Sequence, residues 1–158
     1  MNQVSAAASA TALVALIAAV TVWANYDAWF VLPKARQLVA AQLNDPLSAQ
    51  FRNDRFIDYD WHCGEVNAKN AMGGYVGFRR FIYGRISKIA YIEGVGLMGK
   101  EPTAEVLLIM DKVIANLKML NSMKAQVPDL RLPPESQQYA TARGQVFEDH
   151  WKAICERK

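Results

Sequence analysis

Imidazoles and thiols are scarce in this sequence: it holds two histidines and two cysteines, His62 beside Cys63 and His150 five residues before Cys155. Four such groups are enough for a zinc site, but the spacing works against one. Neighbours on a strand point to opposite faces, and five residues of helix turn through roughly 500°, which leaves His150 and Cys155 about 140° apart. A cysteine nucleophile needs an activated thiolate with a base in reach, and Glu148, Asp149 and His150 carry no pattern that brings them to Cys63. No catalytic residue, metal or cofactor is therefore expected, and both histidines read as surface or capping groups.

Charge of one sign is not in large excess either. Eighteen Lys and Arg face fifteen Asp and Glu, for a formal charge of +3, and no long basic block concentrates it. That balance is too mild to imply nucleic acid, and none is expected as a partner. The stretch "GGYVGFRRF" (Gly73–Phe81) has aromatics and glycines like an RNA-recognition strand, but lacks the basic residue before the glycine and has Val76 between Tyr75 and Gly77. Internal repeats are absent as well.

What is present in excess is apolar residue at the front. No side chain from Met1 to Tyr26 is charged, and "VSAAASATALVALIAAVTVWA" gives 21 mostly apolar or small residues from Val4 to Ala24. A helix of that length spans a bilayer core of about 30 Å. As a signal peptide it offers a small-residue cleavage site after Ala24 in "VWA", but it lacks the opening Lys or Arg, and its alanines make it only moderately hydrophobic. As an uncleaved anchor it is followed by an aromatic belt of Trp23, Tyr26, Trp29 and Phe30, suited to a membrane interface. The anchor reading is preferred, with residues 1–30 as a transmembrane or signal-anchor segment and 31–158 as one globular domain. Orientation is contested: Lys34 and Arg36 favour a cytoplasmic side, whereas an even pair of cysteines favours a disulfide in an oxidising compartment. Asp27 and the amino terminus weaken the charge bias, so the domain is placed outside the cytoplasm.

Beyond the span the patterning is α+β. "KARQLVAAQLN" sets Ala35, Leu38, Val39 and Leu43 at helical spacing until "NDP" ends it. "QFRNDRFIDYDW" reads as a strand with a turn near Asp58–Asp60, and "HCGEVNAK" and "YVGFRRFIY" as two strands of a hairpin turning through the paired glycines of "NAMGG". "SKIAYIEG" completes a four-stranded antiparallel meander and leads into a connection through Gly94, Gly96 and Gly99. Two helices follow. The first places Val106, Ile109, Met110, Val113, Leu117 and Leu120 on a face wide enough to pack on both a sheet and a neighbour. The second, from about Ser136 and after the prolines of "VPDLRLPPES", aligns Tyr139, Arg143, Phe147, Trp151 and Ile154, with Cys155 close behind.

A bond between Cys63 and Cys155 would staple the last helix to the sheet across 92 positions. Strict alternation then puts Cys63, Glu65, Asn67 and Lys69 on one face of the strand and Gly64, Val66 and Ala68 on the other. The polar members read either as an ordinary polar face, with Glu65 and Lys69 meeting cross-strand partners such as Arg79, or as a partner surface beside the glycine turn made of Glu65, Asn67, Lys69, Asn70, Tyr75 and Arg79. A covered Cys63 strains against an open polar face next to it.

"LNDPLSAQFR", "CGEVNAKNAMGGYVGFRRF" and the final "HWKAIC" together resemble small, uncharacterised bacterial and prophage-encoded exported proteins with a CGEVNAKN…GGYxGFxRF motif and a C-terminal cysteine helix. The likeness covers Leu43–Phe81 well and the last helix weakly, and the middle helix looks like an insertion. It implies an envelope-targeted domain and supports export and the Cys63–Cys155 pairing, without implying any chemistry. The departure is at the front, which shows neither a clean signal nor a lipoprotein cysteine.

The expected function is a membrane-anchored, extracytoplasmic structural or interaction subunit of an envelope assembly with no catalytic activity, in a bacterial inner membrane with its domain in the periplasm. Its expected partners are membrane lipid and another membrane or envelope protein, the small-residue stretch "SAAASATA" allowing close helix contact. The alternative is a periplasmic or secreted binding or immunity-type domain released after Ala24, and a hydrolytic enzyme comes third. Mass spectrometry of the mature chain separates the first two: an intact amino terminus is expected, and a chain beginning at Asn25 would contradict the anchor.

Overall fold

The computed structural model describes residues 2–95 and 102–157. The expected connection through Gly96 and Gly99 lies outside these residues, as do the side chains of the small-residue stretch before Ala12. The chain divides into two compact units, Met1–Arg36 and Gln37–Lys158.

In the first unit, α1 (Asn2–Tyr26) is one uninterrupted helix of 25 residues, roughly 37 Å long at 1.5 Å per residue and so longer than a bilayer core. The helical stretch Ala12–Ala40, which begins within it, is long and apolar enough to cross a membrane, and Leu13, Val14, Leu16, Ile17 and Val20 along it are all exposed. A π-helical turn, Asp27–Val31, follows and leads into α2 (Leu32–Ala40). The aromatic residues expected at an interface are exposed around this junction: Trp23, Tyr26, Trp29 and Phe30, with the Tyr26 and Phe30 rings 5.3 Å apart.

The second unit is an α+β domain. Its sheet is a four-stranded antiparallel meander in the order β1 (Gln50–Phe56), β2 (Trp61–Asn67), β3 (Arg79–Gly84) and β4 (Ala90–Ile92). The β1–β2 turn is held by Asp58, whose Oδ1 accepts from the N–H groups of Asp60 and Trp61. In the β2–β3 connection only Gly73 of the expected glycine pair takes a positive φ, +81°; the other left-handed glycine is Gly77, at +98°. The fourth strand is much shorter than the alternating segment from Ser87 to Gly94, because residues 85–87 form a turn that returns the chain to β3 late.

Residues directly opposed in an antiparallel ladder share a face. Register therefore puts Cys63 and Glu65 with Ile82 and Arg80 on one face, and His62, Gly64 and Val66 with Tyr83, Phe81 and Arg79 on the other. His62 is thus not a surface group as its sequence position suggested. It is 1% exposed, stacked on Phe56 at 4.8 Å and edge-on to Phe81 at 5.3 Å, with Nε2 3.7 Å from Asp54 Oδ2. Gly64 makes this packing possible, since a Cβ there would lie 2.8 Å from both the Phe81 ring and Asp54 Oδ1.

The first face is covered by helix. α3 (Thr103–Gln126) and α4 (Glu135–His150) pack on one another through Ile109, Ala142 and Val146, with Val113 and Tyr139 beside them. Polar pairs run along the seam: Glu105 with His150 at 3.0 Å, Lys112 with Asp149 at 2.7 Å, and Asn116 with Gln145 at 3.0 Å. His150 is a cross-helix partner rather than a surface or capping group. α3 is not buried on two sides as its wide stripe suggested: Met110 is exposed, as are Leu107, Leu108 and Ile114. Those positions lie on the side of the helix away from Ile109, where α4 does not reach.

α4 runs into a second π-helical turn, Trp151–Cys155, closed by the Glu156 N–H donating to the Trp151 carbonyl at 3.2 Å. The wider turn rotates Cys155 away from its α-helical projection, and it joins Cys63 in a disulfide with a Cα–Cα distance of 6.0 Å. Both cysteines are buried in a core with Ile82 and Phe147, flanked by Trp61, Tyr91, Trp151 and Ile154. The Arg55 guanidinium donates to the Cys155 carbonyl and closes the chain end onto β1. A second tie lies beside the bond. Arg80 is forked between Glu93, at 2.6 Å, and Glu148, at 3.0 Å, and its guanidinium lies 5.1 Å from the Trp151 ring. Hydrogen bonding to Arg80 holds the Glu93 carboxyl below its usual range.

Replacing both Cys63 and Cys155 by Ser should lower stability by up to about 4 to 5 kcal/mol, from loop-closure entropy, a fall in Tm on the order of 10 °C for a chain of this size. Melting followed by near-ultraviolet circular dichroism measures it. An unchanged melting curve would contradict a staple at this position.

Candidate functional site

The residues expected to form a partner surface are distributed between two jobs. Glu65 is held on the helix-covered face by Arg52, whose Nε donates to Oε2 at 2.6 Å, and by the Asn53 amide at 2.9 Å. The hydrogen bond from Arg52 is the main reason the Glu65 carboxyl is held below its usual range. Asn53 reaches it from an irregularity in β1 between Arg52 and Arg55, where its φ is +54°, a left-handed conformation that asparagine tolerates better than most residues. Glu65 therefore meets Arg52, not Arg79, because Arg79 is opposite Val66 and faces the other way.

Asn67 and Asn70 shape the β2–β3 connection. Asn67 is 9% exposed, and its Oδ1 accepts the Gly77 N–H at 3.1 Å. Asn70 Oδ1 accepts from Met72 and Gly74, an Asx-type arrangement that satisfies turn amides. Tyr75 accepts from the Gln50 amide at 3.2 Å, and its hydroxyl donates to the Ser48 carbonyl at 3.4 Å. Lys69 pairs with Tyr75 in an isolated antiparallel bridge, and its ammonium lies 5.7 Å from the centre of the Tyr75 ring. The Lys69 N–H is taken by the Ser48 hydroxyl at 2.9 Å.

Lys69 and Asn70 also line a groove of about 550 Å³ with Arg79, a volume in the range of small-ligand sites. The groove lies wholly within the second unit. Its apolar lining comes from Leu43, Val66, Ala68, Val76 and Val95. Arg79 and Lys69 enter from the sheet side, Arg143 and Tyr139 from α4, and Gln42 from the segment after α2. No Asp or Glu is among its described lining residues. Gly94 takes φ +71°, a conformation that favours glycine, beside Arg79, whose Nη1 would be in ordinary contact with a Cβ there at 3.6 Å.

Sequence reasoning placed Lys69, Asn70 and Arg79 near one another but missed Arg143, Tyr139 and Gln42. A signal was present: a charged residue, Arg143, sits in the otherwise apolar stripe of the last helix. Two histidine–carboxylate pairs, His62–Asp54 and His150–Glu105, were missed as well, since 45 positions separate the partners of the second pair. The two thiols are spent in the disulfide, so they are neither metal ligands nor nucleophiles in this state.

The architecture defines a class: an α+β domain with a four-stranded antiparallel open sheet, carried on a chain that begins with a long apolar helix. Beyond that class, no family model matches the chain, and no curated protein or solved structure shows significant similarity to it.

The two jobs separate by mutation. Asn67→Ala should cost about 1 kcal/mol, because it removes the part-buried hydrogen bond that Asn67 Oδ1 accepts from the Gly77 N–H. Arg79→Gln and Arg143→Gln should each stay within about 0.5 kcal/mol of the parent. Urea denaturation of the three variants checks this, and a loss at Arg143 as large as that at Asn67 would make the groove arginines structural.

Proposed function

We propose that the protein is a membrane-anchored, extracytoplasmic interaction subunit of a cell-envelope assembly, with the groove beside the β2–β3 connection as its contact site. One observation carries this reading: a long, uncharged, exposed apolar helix and a buried disulfide occur on the same chain. The helix suits a bilayer, and the bond suits an oxidising compartment, which together favour a domain on the outer side of an inner membrane. The exposed aromatic residues Trp23, Tyr26, Trp29 and Phe30 support an uncleaved anchor, since such rings favour the headgroup level. Lys34 and Arg36 favour the opposite orientation, whereas the disulfide favours the oxidising side, where such bonds form and persist.

The groove supports the interaction part of the reading. It is concave and lined by apolar side chains, Val66 and Ala68 among them buried, together with Lys69, Arg79 and Arg143, the combination by which binding sites gain both affinity and orientation. A domain released after Ala24 would keep the same groove and differ in its attachment.

Fractionation tests the placement. The chain should stay in the membrane pellet after alkaline carbonate extraction, and protease added to spheroplasts should digest the domain while leaving a cytoplasmic control intact. Release by carbonate would remove the anchor, and a protease-resistant domain would place it in the cytoplasm.

A further inference from the structure

Lys69, Arg79 and Arg143 converge on one groove whose described lining holds no carboxylate. Three like charges around about 550 Å³ raise one another's energy, and neither Arg79 nor Arg143 forms an ion pair with a described residue. The contrast with Arg80 is direct. Arg80, next in sequence to Arg79, is fully forked between Glu93 and Glu148 on the helix-covered face, while Arg79 is turned to the groove. Glu93 acts on Arg79 through space but is itself hydrogen-bonded to Arg80 and does not line the groove. Cations that share a groove without a carboxylate in it favour an anion that bridges them, and a guanidinium presents paired N–H donors that match a carboxylate or phosphate. The apolar lining, with Val66 and Ala68 buried, gains nothing from a bare hydrated ion. It favours a ligand with an apolar part.

We infer that the groove is a binding site for an oxyanion group, carboxylate or phosphate, joined to an apolar moiety, with Arg79 and Arg143 gripping the anion, Lys69 adding charge at the margin, and Val66, Ala68 and Val76 receiving the apolar part. This rests on the groove being the contact site and is independent of how the chain is attached to a membrane. The oxyanion belongs either to a lipid headgroup or to a soluble organic anion.

The test uses the ¹⁵N-labelled full chain in neutral detergent micelles, titrated with phenyl phosphate, inorganic phosphate and benzyl alcohol. The amide signals of Asn70, Gly77, Gly94 and Val95 report the groove. Phenyl phosphate should shift them at concentrations about tenfold below those inorganic phosphate requires, benzyl alcohol should leave them in place, and Arg79→Gln or Arg143→Gln should each weaken the effect about tenfold. The rest of the spectrum shows whether each variant is folded, and Lys69→Gln supplies a third charge removal should one of them not be. Equal effects of benzyl alcohol and phenyl phosphate would overturn the proposal, as would unchanged phenyl phosphate binding in the folded variants or no shift at these amides. Nanodiscs of phosphatidylcholine with and without phosphatidylglycerol separate the sources. Shifts at the same amides on adding phosphatidylglycerol alone identify a lipid headgroup, and shifts that need phenyl phosphate in both discs identify a soluble anion. If the titration fails while the chain still resists carbonate extraction, the groove reading falls and the anchor stands; the reverse result reverses the conclusion.

Discussion

The Cys63–Cys155 bond is the constraint on which the domain depends. It joins the second strand of the sheet to the last residues of the final helix, so the polypeptide between them, including the hairpin, β4 and both packed helices, is closed into one loop. Closing so long a loop removes much of the freedom of the unfolded chain. The bond is not an isolated staple. Arg55 secures the carbonyl of Cys155, Arg80 ties β3 to α4 through Glu148, and the rings of Phe147 and Trp151 cover both sulfurs' surroundings. A domain of this size with a short fourth strand and a helix pair resting on one face has a modest core, and covalent closure offsets part of its entropy cost.

Committing one face of the sheet to the disulfide determines what the other face and the sheet's end can do. Glu65 lies on the face that the helix covers, so it is satisfied by Arg52 and Asn53, as a polar group in a partly covered site must be. Arg79 and Arg80 show how sharply register divides roles between neighbours. One step along β3 separates an arginine that holds two carboxylates from one that borders an open groove. The β2–β3 connection then sets the groove's shape through Asn67, Asn70 and Gly77 rather than by supplying its chemistry.

Much of this architecture was legible in the sequence. Alternation and turn residues revealed the four strands and their meander, an even cysteine pair after an apolar run suggested the staple, and the uncharged amino-terminal stretch indicated a helix of membrane-spanning length. Three features were hidden for physical reasons. The phase of the Arg79–Arg80 doublet depends on cross-strand register, which period-2 patterning leaves open until the pairing is known. His62 is buried because its ring stacks on Phe56 and meets Phe81 edge-on, contacts no local pattern announces. The groove unites Gln42, Lys69, Arg79 and Arg143, residues on separate elements that only the tertiary arrangement brings together. The wide apolar stripe of α3 misled in the other direction, since periodicity counts apolar residues and cannot count the neighbours available to cover them.

The most direct test is the redox state of the two cysteines in living cells. Intact cells are quenched with acid, free thiols are alkylated under denaturing conditions, and the chain is digested and analysed without reduction. A peptide pair joined through Cys63 and Cys155 is expected, with essentially no alkylated thiol. Recovery of both cysteines in alkylated form would contradict it, because the domain would then be folding without its staple and in a reducing compartment.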